Sequence, residues 1–346
     1  DYTTGLCILL FVMAQSAASY AGMTGQAHWM EFVQAWSEPI IVPMLFVTAG
    51  MFVPRTVFGS KSTFFDRKVL RFVYFYLVWL IIQTAILHGF TGSNGLLGLI
   101  EEFALGLVQP AAGLWILPLL ALFGLATWLV RLATPLKILT GAALLQIIHA
   151  AGLIQTGWLL LDGFAQYFVF FFAGYAGAAL LRRFADAAGK RASDIPAALG
   201  IWAVINMILV VQGTASLPVI SLILGLAGAV ALIAVGVLLA GSRHAAFLHY
   251  AGRNHLVIYV AYFVPLTIAQ YLLTLGSFRP EPGLTSLGIA VAAIAVSLGL
   301  HHLLRMTPLK ALYRRPKALR LKGSGLPRGG QLIGASYDSY DRAEEA

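Results

Sequence analysis

Ten runs of mostly apolar residues divide this chain, at about 3–21, 34–54, 69–88, 112–131, 136–154, 164–182, 196–212, 217–240, 254–275 and 285–304. A helix needs roughly 20 such residues to cross a hydrocarbon core of about 30 Å. When the loops between the runs are numbered alternately, 22 of the 23 Lys and Arg fall on one side. That side holds Arg55, Lys61, Arg67, Lys68, Arg71, Arg131, Lys137, Arg182, Arg183, Lys190, Arg191, Arg243, Arg253 and the basic residues from Arg305 onward. The other side has Arg279 alone, together with Glu31, Glu38, Glu101, Glu102, Asp162 and Glu281. One missed span would scramble this sorting. The positive-inside rule then predicts an all-α, polytopic membrane bundle of about ten transmembrane helices with both termini cytoplasmic. The run 95–108 is too short to span and carries Glu101 and Glu102, so it reads as an interfacial or re-entrant helix.

Composition agrees and excludes the alternatives. Hydrophobic residues are 59% and charged residues 11% of the 346, with a mean hydropathy of +0.83. A soluble domain carries about twice that charge. The net charge of +9 is therefore a topology signal rather than a nucleic-acid footprint. Cys7 is the single cysteine, which excludes an intrachain disulfide and a cysteine metal site. The chain opens on Asp1 rather than Met, so a fragment or a processed start is expected. Residues 1–305 read as one membrane domain, and 306–346 as a basic, then flexible, cytoplasmic tail. No fixed-period or inverted repeat is evident, which weighs against a secondary transporter.

Polar groups inside lipid are functional candidates by default, and interhelical hydrogen bonds are the bland alternative. Gln15 lies in the first run, about 21 Å along the helix from Asp1. An amide does not titrate near neutral pH, so Gln15 is no general base. Arg67, Lys68 and Arg71 enter the third run at spacings of three and four, which on an α-helix gives them one face. Such a cluster either anchors the helix at the lipid surface or binds phosphates. Tyr74, Tyr76 and Trp79 follow in the manner of an aromatic belt. Among the histidines, His28 and His88 lie on the outer side and His149 inside its run. His244, His249 and His255 gather around Gly252-Arg253-Asn254. No His-Glu-x-x-His spacing marks a metal site. Asp162 opens an aromatic run and either caps that helix or orients a histidine or hydroxyl. No nucleophile elbow, phosphate loop or dinucleotide fingerprint is present.

The ordered landmarks resemble the acyltransferase type 3 family, integral-membrane proteins that move acyl groups onto extracytoplasmic saccharides and related acceptors. Asp1-Tyr-Thr-Thr-Gly5, followed ten residues on by Gln15, is similar to the family's Asp-x-x-Arg-Gly start and essential histidine. Pro43 to Gly50 is similar to its second-span Phe-x-x-Ser-Gly. Arg67 to Trp79 is similar to its Arg-Arg-x-x-Arg-x-x-Pro-x-Tyr stretch, and Leu114-Trp115-Ile-Leu to its Leu-Trp-Phe-Leu. Leu161-Asp162-Gly163-Phe164 with Gly174-Tyr175, and Gly252-Arg253-Asn254-His255 with Tyr259, complete the series. The aromatic third span and the last motif look closest to a YcfT-like inner-membrane branch.

The resemblance implies a bacterial inner-membrane enzyme with no permanently bound cofactor or metal and with acyl-CoA as co-substrate. Arg67, Lys68, Arg71 and Tyr76 would meet the donor, and a saccharide or lipid-linked hydroxyl would accept the acyl group. Nucleic acid is not an expected partner. The sequence departs from the family pattern at Gln15 in place of the histidine, Thr4 in place of the basic residue before it, Met44, Ala49 and Tyr262. His149 or His88 is then the expected substitute base. Two alternatives stand beside the acyltransferase: a non-catalytic envelope binding or assembly protein on the same scaffold, and a transporter or flippase.

Overall fold

The structure is a computed structural model that describes residues 1–25, 27–91, 95–110, 113–190, 193–242, 245–275 and 281–321. Arg191, Arg243, His244, Arg279 and the tail from 322 onward fall outside the described residues, as do the side chains of Arg55 and Lys317. Among the described residues every regular element is helical. The helices are α1 (Tyr2–Thr24), α2 (Trp29–Met51), α3 (Pro54–Val57), α4 (Lys61–Phe65), α5 (Arg71–Thr91), α6 (Gly95–Val108), α7 (Ile116–Val130) and α8 (Pro135–Ala150). They continue with α9 (Leu159–Ala176), α10 (Ala178–Lys190), α11 (Ile195–Val211), α12 (Pro218–Ala240), α13 (Ala246–Arg253), α14 (His255–Ala261), α15 (Phe263–Leu275) and α16 (Pro282–Leu304).

Among the described residues, seven helical stretches are long and apolar enough to cross a membrane: Tyr2–Thr24, Trp29–Met51, Lys61–Gly89, Leu159–Ala176, Pro218–Ala240, His255–Leu273 and Pro282–Leu304. Three shorter apolar helices, Ile116–Val130, Pro135–Ala150 and Ile195–Val211, occupy the other runs. Their outward faces are apolar. Ile201, Val204, Ile208 and Val211 of α11, and Val219 and Ile223 of α12, are all exposed. An exposed apolar belt of this kind is a lipid-facing surface, and the chain is a multi-pass integral membrane protein.

Helix α2 is the centre of the bundle, with α1, α9 and α12 packed on it. In lipid, close packing replaces the hydrophobic effect between helices, so small residues mark the crossings. A Cβ on Gly50 of α2 would strike the carbonyl of Phe171 on α9, and one on Gly174 of α9 would strike the carbonyl of Val47. Gly5 of α1 and Gly252 of α13 meet in the same way, each against backbone of the other's helix. The family-type glycines Gly5 and Gly50 are thus contact points between backbones. Gly50→Val is expected to lower the thermal midpoint in detergent, at about 3 kcal/mol, because a backbone cannot yield as a side chain does. An unchanged midpoint would refute this reading of the crossing.

Two helices depart from regular form. Residues Asp66–Leu70 make a π-helical turn between α4 and α5, so Arg67, Lys68 and Arg71 follow a wider turn rather than one α-helical face. The run expected at 254–275 is one membrane-crossing stretch with a local irregularity at Tyr262, between α14 and α15, across which the Tyr262 N–H still donates to the Ile258 carbonyl and the Leu266 N–H to the Tyr262 carbonyl. Pro265 has no N–H for the carbonyl of Ala261, four residues back, which is the physical cause of the irregularity.

The described part of the segment after α16 is docked on the bundle. Residues 308–321 are not a free tail: they lie against α5 and α16. Tyr74 donates to the Ala311 carbonyl at 2.8 Å, and the Trp79 indole donates to the Leu312 carbonyl at 2.9 Å. Tyr313 packs its ring against Trp79 and His301, at 5.5 and 5.0 Å between centroids.

Candidate functional site

Contacts between distant residues separate the bundle into two ends. At one end Asp1 faces His249 at 3.2 Å, Arg71 lies near enough to His255 to act on it electrostatically, and 308–321 covers the start of α5. This basic end collects Arg67, Lys68, Arg71, Arg253, Asn254 and His255. At the other end His88 faces Glu102 at 3.6 Å, Trp158 donates to the Val108 carbonyl, and Glu281 caps α16.

The basic end gathers its cations where α5 begins, and is called the mouth below. Arg67 and Lys68 sit half-buried on the π-turn, and Arg71 opens α5 beside α14. The Nε of Arg71 is buried without a hydrogen-bond partner. A buried guanidinium N–H left unsatisfied costs free energy unless an anion or water meets it. His255 turns its Nδ1 to the Gly252 carbonyl at 2.7 Å. Asn254 ends α13 with its amide on the Tyr250 carbonyl at 2.9 Å. Arg253 is exposed.

The π-turn is held by a group that sequence spacing does not reveal. Arg315 donates from Nη1 to the Asp66 carbonyl at 2.9 Å, and its Nη2 is paired with the Asp66 carboxylate. The Leu321 backbone N–H also donates to that carboxylate, at 2.8 Å. Both side chains of the pair are 6% exposed. The segment after α16 thereby fixes the turn from which Arg67 and Lys68 project.

From this mouth a polar stripe runs up the bundle. On α1, Phe11, Gln15 and Ser19 recur every four residues and so share a face. Phe11 packs on Tyr259 and Tyr262 of the His255–Leu273 span, at 5.6 and 5.7 Å between centroids. Ser19 accepts from Gln270 at 2.6 Å. Gln15 lies between these contacts, half-buried and with no hydrogen bond among the described residues. The Tyr259 hydroxyl accepts from the backbone N–H of Ile116 at 3.1 Å. This pins the Leu114-Trp115 motif to α14, while Trp115 packs on Phe46 and Tyr167.

Other sequence candidates lie elsewhere. Tyr76 donates to the Gly106 carbonyl and ties α6 to α5. His149 and Asp162 are neighbours near the loop between α8 and α9. His149 Nδ1 pairs with the Ile154 carbonyl at 2.9 Å. The Asp162 carboxylate accepts from the Thr156 backbone and hydroxyl and from the Gly157 backbone, at 2.8 to 2.9 Å. Neither α8 nor α9 packs broadly on α1 among the described residues, so His149 and Asp162 are not brought to Gln15. Met44 is packed in the core. Among the described residues no group of His, Cys, Asp and Glu has metal-site geometry.

A family model for an acyltransferase domain matches residues 1–302 of the 346. The chain belongs to the acyltransferase type 3 family. No curated protein and no solved structure gave a match. The family region ends just before the segment that carries Arg315, so the support of the π-turn comes from outside it. The resemblance drawn from the six ordered motifs is thus borne out at the level of the family, and the protein is a membrane acyltransferase by that membership.

Proposed function

We propose that the chain transfers an acyl group from a cytoplasmic acyl-CoA-type donor to an extracytoplasmic hydroxyl, on a saccharide or similar acceptor. In this reading the basic end faces the cytoplasm, as the loop charges require, and the protein sits in a bacterial inner membrane. One observation carries the donor assignment: the unsatisfied, buried Arg71 Nε at the mouth, beside the half-buried Arg67 and Lys68. Planar guanidinium groups and an ammonium at one mouth suit a phosphate-rich donor. Further into the bundle stand Tyr259, Tyr262 and Gln15, polar groups that inside lipid cost free energy without a role.

The reaction forms a bond between the acceptor oxygen and the acyl carbonyl carbon and breaks the carbon–sulfur bond. The acceptor's proton ends on the departing sulfur. Gln15 holds a hydrogen bond at most and removes no proton. Arg71→Ala is expected to raise the donor KM about 10- to 100-fold, the equivalent of a charge-assisted hydrogen bond of about 1.5–3 kcal/mol, with kcat less affected. Initial rates with labelled acyl-CoA in membranes check this. A donor KM equal to that of the wild type sinks the donor assignment.

A second reading has its own support. Gln15, Thr4 and Met44 stand where the family pattern is polar or titratable, which favours a non-catalytic binding or assembly protein on the same scaffold. Acyl-CoA turnover by the wild-type chain excludes it.

A further inference from the structure

Gln83 is 1% exposed, deep in α5, and its Nε2 has no hydrogen-bond partner. A neutral amide donor left bare in a membrane bundle costs about 1–3 kcal/mol, and native chains rarely keep such a group without a use. Its surroundings point to a ligand. Gly113 stands opposite, and a Cβ there would lie 3.0 Å from Gln83 Nε2 and 3.4 Å from the Tyr262 hydroxyl. The two polar groups therefore converge on the side of Gly113 that a side chain would otherwise fill. The Tyr262 hydroxyl makes no hydrogen bond among the described residues. Tyr259, whose oxygen already accepts from Ile116, packs against Tyr262 with ring centroids 6.3 Å apart. Phe11 packs on both rings, and Gln15 is one turn further along its face.

The distance from the mouth fits as well. Gln83 follows Arg71 by twelve residues on one helix, a rise of about 18 Å. Phosphates at Arg71 and a carbonyl at Gln83 need a long extended linker between them, which acyl-CoA has.

We propose that Gln83 Nε2, with the Tyr262 hydroxyl, donates hydrogen bonds to the carbonyl oxygen of the acyl group being transferred. This rests on the acyltransferase reading above. The donors meet an oxygen that gains negative charge as the acceptor oxygen bonds to the carbonyl carbon. They release it when the carbon–sulfur bond breaks and the acceptor's proton reaches the sulfur. Donors placed before the reaction stabilise that oxyanion more than they do the ground-state carbonyl.

Two measurements on the full-length purified protein test the assignment. In the first, the carbonyl stretch of bound acetyl-CoA, labelled with carbon-13 at the carbonyl, is read by infrared difference spectroscopy. The wild type should lower the frequency relative to acetyl-CoA in water-free solvent, and Gln83→Met should abolish most of that shift. In the second, Gln83→Met should lower kcat about 10²-fold or more, the loss seen for a single oxyanion donor, with donor KM unchanged and thermal midpoint equal or higher. A merely structural glutamine would instead lower the midpoint. Gln83→Leu, which also lacks a donor, should behave like Gln83→Met in both readouts. Bound acetyl-CoA with the same carbonyl frequency in wild type and Gln83→Met overturns the role of Gln83 alone. Failure of the wild type to bind acetyl-CoA overturns the acyltransferase reading and this inference together.

Discussion

Replacing Asp66 with alanine is expected to lower the stability of the folded chain by about 3–5 kcal/mol, the cost of leaving a buried charge without its partner. Arg315 is only 6% exposed and has its Nη2 on the Asp66 carboxylate, so the substitution strands a guanidinium where water reaches poorly. It also removes the acceptor for the Leu321 N–H. The effect should appear as a lower thermal midpoint in detergent and as faster protease cleavage within 308–321. Replacing both partners, by Asp66→Leu with Arg315→Met, should recover most of the loss, because an apolar pair of similar volume satisfies itself. If Asp66→Ala leaves both the midpoint and the protease protection unchanged, the docking of the C-terminal segment on the π-turn is wrong.

Gln15→His, made together with Thr4→Arg, is expected to raise acyl transfer about 10²- to 10⁴-fold, the usual contribution of a positioned general base. The position suits the exchange. Gln15 is half-buried, free of hydrogen bonds among the described residues, and on the face that carries Phe11 against Tyr262 and Ser19 against Gln270. A histidine there adds a titratable group without displacing a paired one. The rate should then fall at low pH, as the imidazole takes up a proton and ceases to act as a base. The double variant assayed between pH 5 and pH 9 gives the answer. A rate no higher than that of the wild type would place the acceptor hydroxyl away from α1.

Much of the architecture was readable because lipid imposes it. Apolar runs of a set length must become helices when no water can satisfy a backbone, and each of the ten runs holds a helix in the structure. The family was readable from six short motifs in order, and the glycines among them prove to be backbone crossings at Gly5 and Gly50. What escaped the sequence is non-local. Asp66 and Arg315 are 249 residues apart, and each looks like an ordinary loop charge until the fold joins them. The π-turn leaves no periodic signature in Phe65-Asp66-Arg67-Lys68, so the three cations looked like one helix face. Gln83 sits in an apolar helix with no motif about it, and only its missing partner and the empty side of Gly113 single it out. Asp162 shows the converse: a charged residue at the head of an aromatic run invites a catalytic reading, yet its oxygens are engaged by Thr156 and Gly157 of the adjoining loop.

The central claim is that a donor entering at Arg71 delivers its acyl group beyond Gln83. Its most direct test is the transfer of label from carbon-14 acetyl-CoA, supplied to the cytoplasmic face of inverted membrane vesicles that contain the wild-type chain. The account predicts acid-stable label on lumenal hydroxyl acceptors, lost from Gln83→Met vesicles and recovered at high donor concentration in Arg71→Ala vesicles. No label in wild-type vesicles, with label appearing only after Gln15→His and Thr4→Arg, would contradict it and leave the chain as a binding protein on an acyltransferase scaffold.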